Sequence, residues 1–244
     1  MNRYLVSLIL LLPCGLLHAQ TSPAPTAPAA RTFRIFSIVG SFIDYKYELK
    51  RGAEPIRLSI GPLPTRAYVA PAGADLIIYR EVPPPPDSPP GTKPTRSIIA
   101  RVELPAAQPR SLVIVAPLAD GTFATRVLDD DPAQHPAGTL RLVNLSTFPA
   151  AVALDRSTHP VDSGASSVVA YGAGGKLVQL AVQKQGAWTV SYSEEHMSRP
   201  ELHAYGFIFN YAPAPDLQPD PQAAPAIFRL FMDRLPAPRP DKTG

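Results

Sequence analysis

Apolar and polar residues alternate in short runs along much of the chain, which is the pattern of β-strands that bury one face. In one run Tyr45, Tyr47 and Leu49 fall on one side, while Lys46 and Glu48 fall on the other. Glycine or proline residues end the runs before they reach the length of an ordinary helix. The first half is therefore predicted to contain strands at residues 33–39, 44–50, 56–60, 68–70, 76–79, 98–104, 112–115 and 123–128.

The order of these runs occurs twice in the chain. Residues 138–146 (GTLRLVNLS) repeat the residue types of 32–38 (TFRIFSI), and Arg141 stands 107 positions after Arg34 (141 − 34). Later runs match at similar offsets, which indicates duplication of a whole domain rather than a short-period solenoid. After residues 138–146, the second half is predicted to contain strands at 152–154, 167–171, 177–180, 187–192, 207–211 and 228–233.

Each copy places about seven short strands in about 100 residues, which is typical of a β-sandwich of the immunoglobulin type. A strand with one wet face must bury its other face, and a second sheet supplies the cover. We therefore predict an all-β protein with two tandem Ig-like antiparallel β-sandwich modules, at residues 31–133 and 138–236, after a signal peptide.

The opening of the second module at residues 138–146 and the strand that contains Trp188 resemble exported bacterial proteins of unknown function built from paired Ig-like β-sandwich modules. The resemblance implies the fold and export. It implies no catalytic residues.

The N-terminus has the layout of a secretory signal peptide at residues 1–19. Arg3 precedes an apolar run at residues 4–12, and small residues end at Ala19. The run is shorter than the roughly 20 apolar residues that span a bilayer, and no later apolar stretch reaches that length. We expect an exported protein, located in the periplasm, in the cell envelope or outside the cell.

Two further segments near the ends are predicted to lie outside the modules. Residues 20–30 form a Pro/Ala-rich spacer, and residues 237–244 form a disordered tail. Cys14 is the only cysteine in the chain. Cleavage after Ala19 would remove it and leave no disulfide, whereas a lipoprotein would carry its lipid anchor on it. Pro13 stands where a lipoprotein needs a small residue, so the sequence favours removal.

The composition supports folded modules and argues against nucleic acid as a partner. The chain is proline-rich, with 31 prolines among 244 residues, yet it is 45% hydrophobic, which is enough to build a core. Its formal net charge is +3, and its basic residues are spread singly rather than clustered into a surface for phosphates. The expected partner is an envelope protein or a polysaccharide.

Two acidic or histidine-containing segments are candidate metal sites. His196, Glu201 and His203 offer nitrogen and oxygen ligands for zinc, but Pro200 interrupts them, and a charged loop between two strands is favoured. The aspartates at residues 129–131 lack the spacing of a calcium loop and are predicted to form a solvated linker between the modules.

Aromatic residues offer a second kind of candidate site. Tyr205, Phe207, Phe209 and Tyr211 lie at period two on one strand face, where they would serve as a platform for sugar rings or as part of the sandwich core. The core is favoured because exposed apolar patches of that size are uncommon. The same choice applies to Trp188, and the core is again favoured.

The sequence therefore favours a non-enzymatic protein without a cofactor that binds or scaffolds in the cell envelope. No serine–histidine–acid set and no phosphate loop can be assembled from the spacing. Two alternatives remain. One is a carbohydrate-binding module that uses Tyr205, Phe207 or Trp188, and the other is a metal-assisted hydrolase that uses Glu201, His196 and His203.

Overall fold

A computed structural model describes residues 30–71, 75–117, 121–210 and 226–234. These ranges contain sixteen β-strands and no helix, so the all-β prediction is confirmed. The predicted signal peptide with Cys14 and the predicted tail lie outside the described residues, as does all but the last residue of the predicted spacer.

The first eight strands form two four-stranded sheets. Inner sheet 1 has the order β4-β1-β7-β8, and outer sheet 1 has the order β3-β2-β5-β6. The strands are β1 (Thr32–Ser37), β2 (Phe42–Tyr47), β3 (Ile56–Ile60), β4 (Tyr68–Val69), β5 (Asp75–Val82), β6 (Thr95–Glu103), β7 (Arg110–Pro117) and β8 (Phe123–Asp129).

The last eight strands repeat this topology strand for strand. Inner sheet 2 has the order β12-β9-β15-β16, and outer sheet 2 has the order β11-β10-β13-β14. A β-bulge also recurs at the same place, next to Ile78 on β5 and next to Leu180 on β13. The strands are β9 (Thr139–Asn144), β10 (Ala150–Leu154), β11 (Ser157–Val161), β12 (Ser166–Ala170), β13 (Gly174–Lys184), β14 (Ala187–Ser198), β15 (His203–Asn210) and β16 (Ala226–Asp233).

One strand pair in each module is parallel, which differs from the predicted antiparallel arrangement. In inner sheet 1, β1 runs parallel to β7, and in inner sheet 2, β9 runs parallel to β15. Parallel neighbours need a long crossover connection. Here the crossover contains every strand of the outer sheet. The alternation of apolar and polar residues reflects only local structure, so it cannot show that two strands so far apart in the chain pair in parallel.

Each module buries a core between its two sheets. In module 1, Phe33 and Ile35 of β1 pack towards Leu58 and Ile78 of outer sheet 1. In module 2 the matching core contains Leu140 and Leu142 of β9 and residues of outer sheet 2. Alternate side chains of a strand point to opposite faces, so one set of apolar positions fills each sandwich. The predicted pair of β-sandwich modules is therefore confirmed, with two packed sheets in each module.

A third core lies between the modules, because the two inner sheets face each other. Phe36, Leu112 and Ile114 of inner sheet 1 pack against Tyr205 and Phe207 of inner sheet 2, among others. The central strands of the inner sheets are therefore covered on both faces, and β7 and β15 show nearly continuous burial. The four sheets stack in the order outer 1, inner 1, inner 2 and outer 2.

Two local predictions in module 2 were wrong. β11 was not predicted, because His159 and Pro160 suggested a turn. β11 is an edge strand, where a proline without an N–H is tolerated. In addition, β14 continues to Ser198, so His196 lies in a strand rather than in a charged loop.

Gly206 on β15 is expected to be intolerant of any side chain. A Cβ there would lie 2.7 Å from Cζ of Phe228 and 3.1 Å from Cδ2 of Leu142, inside the core of module 2. Gly206→Ala should lower the free energy of unfolding by about 1–3 kcal/mol through overpacking, measured by urea denaturation. Gly61→Ala is the control, because the nearest atom there is Ser41 Oγ at 3.8 Å. Equal effects of both substitutions would contradict the packing argument.

Candidate functional site

The third core contains a buried ionic cluster centred on Arg34. Arg34 lies on β1 between Phe33 and Ile35, so alternation turns its side chain away from the core of module 1 and towards module 2. Its Nε donates to Oδ2 of Asp130 at 2.7 Å, and its Nη2 donates to Oδ1 at 3.0 Å. Its Nη1 donates to Asp233 of module 2. One guanidinium therefore links carboxylates of both modules.

The two aspartates occupy equivalent positions, because Asp130 directly follows β8 and Asp233 ends β16. Asp130 is only 3% exposed, so the predicted solvated linker is wrong at this residue. The Tyr205 hydroxyl donates to Oδ1 of Asp130 at 2.7 Å and accepts from Nη2 of Arg34 at 3.3 Å. A buried carboxylate is tolerated where it is paired and hydrogen-bonded in this way.

The protonation states of this cluster are fixed by its surroundings. Burial alone would lower the pKa of Arg34, but the hydrogen bonds and charge of Asp130 outweigh it, and the net shift of this pKa is upward. Burial and the neighbouring Asp130 raise the pKa of Tyr205. Arg34 therefore stays charged and Tyr205 stays protonated near neutral pH.

Arg141, the counterpart of Arg34, has different partners. It donates to the backbone carbonyl oxygens of Asp129 and Gln134, the latter at 3.0 Å, and so holds the segment that joins the modules. Two further arginines, at matching positions in the two modules, each donate a hydrogen bond to the opposite module across the third core, which we call the join between the modules. Arg126 of β8 donates to the carbonyl oxygen of Gly164, and Arg229 of β16 donates to that of Ile38 at 2.9 Å.

A histidine pair borders the cluster. The ring of His135 is fully buried, with centroid distances of 4.5 Å to Tyr205 and 5.3 Å to His203. His203 donates from Nδ1 to the carbonyl oxygen of His135 at 2.6 Å. Among the described residues, neither ring nitrogen of His135 has a hydrogen-bond partner of good geometry. Burial, followed by the charges of Arg141 and His203, lowers the pKa of His135 to about 3.

The protein is expected to lose stability in mild acid because of His135. Its pKa is about 3 in the folded chain against about 6.5 when unfolded, so the unfolded state takes up the proton first. The contribution of a neutral His135 to the free energy of unfolding is fully present above pH 6.5, and it is lost as the pH decreases towards 3. Between pH 7 and pH 5 the loss from this residue should be about 2 kcal/mol, measured by urea denaturation. His135→Leu should flatten the pH dependence, and an unchanged slope would contradict this assignment.

A groove opens at the surface next to the ionic cluster. It has a volume of about 760 Å³ and lies between β4, at the edge of inner sheet 1, and the end of β16. Arg34 and Asp233 form the part of its lining that adjoins the cluster, so both modules contribute to it. We call it the seam groove.

The structure separates the residues considered for zinc. His196 lies on β14 in outer sheet 2, where its Nε2 contacts the Tyr192 hydroxyl. His203 lies at the start of β15 and is committed to the His135 carbonyl, and Glu201 is exposed in the turn before it. Within the described part of the chain, no group of three or more histidine, cysteine, aspartate or glutamate side chains is arranged to hold a metal ion.

The aromatic candidates divide into buried and exposed residues. Tyr205 is 0% exposed and Phe207 is 1% exposed, and both rings stack on Phe231, at centroid distances of 5.0 and 5.5 Å. They are buried as core residues, but between the modules rather than inside one sandwich. Trp188 differs from the favoured interpretation because it is 52% exposed on the edge strand β14.

Sequence reasoning missed the ionic cluster, although the chain carried a signal for it. Arg34 and Arg141 each stand in the middle of an otherwise apolar strand. A charge at such a position needs a buried partner. The partner Asp130 was assigned to a solvated linker because it sits in a run of aspartates, where local sequence suggests exposure.

No protein-family model matches the chain, and no curated protein matches its sequence. Within the ranges that the structure describes, no helix is long and apolar enough to cross a membrane.

Proposed function

We propose that the protein is an exported, non-enzymatic binding or scaffolding protein of the cell envelope, in which the two modules act as one unit. One observation carries the proposal. The inner sheets are joined by a continuous aromatic core, and Arg34 pairs within it with Asp130 of its own module and Asp233 of the other. Such a join keeps the outer surfaces of the two modules and the seam groove at fixed positions relative to one another, which a scaffold requires.

The chemistry of the join also favours binding over catalysis. The polar groups around Arg34 satisfy one another, with two carboxylates and a tyrosine hydroxyl on one guanidinium. A catalytic site needs a nucleophile or base within reach of substrate, with a pKa suited to its task. The guanidinium of Arg34 is paired on all sides by these groups, which suits a structural role next to a binding groove.

Capture from fractionated cell envelope tests the proposal. The purified protein is immobilised, incubated with envelope fractions of the source organism at several salt concentrations, and the retained material is identified. We expect retention of a discrete protein or polysaccharide that free protein competes away. No specific retention at any salt concentration, together with hydrolytic activity in a substrate screen, would overturn the proposal.

A second candidate is carbohydrate binding through Trp188. Trp188 and Val190 lie on the same outward face of β14, are 52% and 62% exposed, and form an apolar surface of the kind on which a sugar ring stacks. Trp188→Ala should then abolish retention on a polysaccharide. Met197→Ala is the matched control, because Met197 is exposed on the same face of the same strand. Equal retention by both variants would exclude this platform.

A further inference from the structure

The seam groove carries more positive than negative charge. Arg34, Arg66 and Arg234 line it, against the single carboxylate of Asp233. Arg34 is neutralised by its bonds to Asp130 and Asp233. Among the described residues, no carboxylate forms an ion pair with Arg66 or Arg234, and both side chains are exposed. The groove therefore offers an anion two guanidinium groups that no described carboxylate pairs with, and together with Asp130 and Asp233 its charged groups sum to +1 (3 − 2).

Arg66 is held in place by stacking. Its guanidinium lies over the ring of Tyr68, 5.5 Å from the centroid, and Tyr68 in turn stacks on the buried ring of Phe33 at 5.6 Å. A planar guanidinium that is already oriented loses less freedom when it binds, and its fork matches a carboxylate in a bidentate manner. Arg66 therefore presents an oriented guanidinium to an anion such as a carboxylate.

The remaining lining suits aliphatic groups better than sugar rings. The ring of Tyr68 already contacts Phe33 and Arg66, and the ring of Tyr47 is buried, with its hydroxyl donating to the Val69 carbonyl at 3.0 Å. A buried ring such as that of Tyr47 presents no face for a sugar to stack on. The other walls are aliphatic and are formed by Leu49, Ile56, Pro64 and Val69.

The position of the groove favours an extended ligand. It runs beside β4, a strand of only two residues at the edge of inner sheet 1, and no strand of the described residues pairs with its outer side. Edge strands and the grooves next to them accept extended peptide segments.

We propose that the seam groove binds an extended segment of a partner protein in which acidic side chains occur among aliphatic ones. The carboxylates pair with Arg66 and Arg234, and the aliphatic side chains contact the apolar walls. This inference rests on the proposed binding function and names the chemistry of the partner.

Selection from a library of random dodecapeptides displayed on phage, with the purified full chain as target, tests the inference. We expect enrichment of peptides that combine Asp or Glu with Val, Leu or Ile. The dissociation constant of an enriched peptide, measured by fluorescence anisotropy, should rise roughly tenfold in Arg66→Ala, as expected for one lost charge-assisted pair. It should also rise with salt, and replacing the acidic residues of the peptide with their amides should abolish binding.

Arg101→Ala is the matched control, because Arg101 is an exposed arginine on β6, at the edge of outer sheet 1. It should bind the peptide as the unchanged protein does. Unchanged urea midpoints for both variants would show that folding is intact. Enriched peptides without acidic residues, or peptides that bind Arg66→Ala equally well, would overturn the inference.

An acidic oligosaccharide, oligogalacturonate, serves as the competing probe. Binding of this probe that depends on Arg66, without enrichment of acidic peptides, would overturn the peptide assignment in favour of a polysaccharide. The envelope capture separates this inference from the proposed function. Equal retention of one envelope component by Arg66→Ala and the unchanged protein would leave the binding function standing and overturn the role of the groove.

Discussion

Replacing Arg34 with alanine is expected to lower the free energy of unfolding by about 3–5 kcal/mol, the range observed when one partner of a buried ion pair is removed. The substitution leaves the carboxylate of Asp130 buried without its cation and removes the link to Asp233. Urea denaturation with a fixed slope provides the measurement. This loss would exceed half of the stability of a marginal domain.

Two control variants separate charge burial from the loss of a side chain. Arg126→Ala removes an arginine that also crosses the join but donates only to an exposed carbonyl of Gly164, and it should cost no more than about 1 kcal/mol. Arg34→Met combined with Asp130→Leu removes both charges and should recover much of the stability that Arg34→Ala loses. A small effect of Arg34→Ala alone would show that Asp130 is not isolated from water.

Truncating Phe207 should have a similarly large effect, although this residue lies in neither sandwich core. Its ring is 4.8 Å from that of Phe36 in module 1 and 5.5 Å from that of Phe231. Phe207→Ala opens a cavity between the inner sheets and should cost about 3–5 kcal/mol in a urea titration.

The control for Phe207 is Val190→Ala, because Val190 is an exposed apolar residue on a strand of the same module. It should change stability by no more than about 0.5 kcal/mol. If Phe207→Ala were equally mild, the inner sheets would not be held together in solution by the third core, and the fixed relation between the modules would lose its support.

Alternation was sufficient to predict the repeated strands and the sandwich modules. The runs at residues 76–79 and 177–180 fall within β5 and β13, which occupy the same place in the two outer sheets. The outer strands have one wet face, so period two is visible in their sequences. The prediction failed at β11, because a proline at a sheet edge has the same local signature as a turn.

The join between the modules could not be predicted in the same way. Periodicity shows that Phe207 shares a face with Tyr205, but it does not show which apolar surface covers that face. The answer depends on contacts between residues far apart in the chain, such as Phe36 with Phe207 and Arg34 with Asp233. Trp188 was assigned to a core for the same reason, since its strand alternates whether or not another layer covers it.

Arg126 and Arg229 each donate a hydrogen bond to the opposite module, and this arrangement bears on how many ligands one chain can bind. Equivalent arginines reach across in opposite directions, and Asp130 and Asp233 sit at equivalent strand ends, so the chain has the arrangement of a homodimer fused into one polypeptide. In a homodimer of identical subunits, each surface feature would occur twice, once on each subunit. In this single chain the halves differ: β4 has two residues where β12 has five, and Arg141 binds carbonyl oxygens where Arg34 binds carboxylates. A ligand of the seam groove should therefore bind once per chain rather than twice.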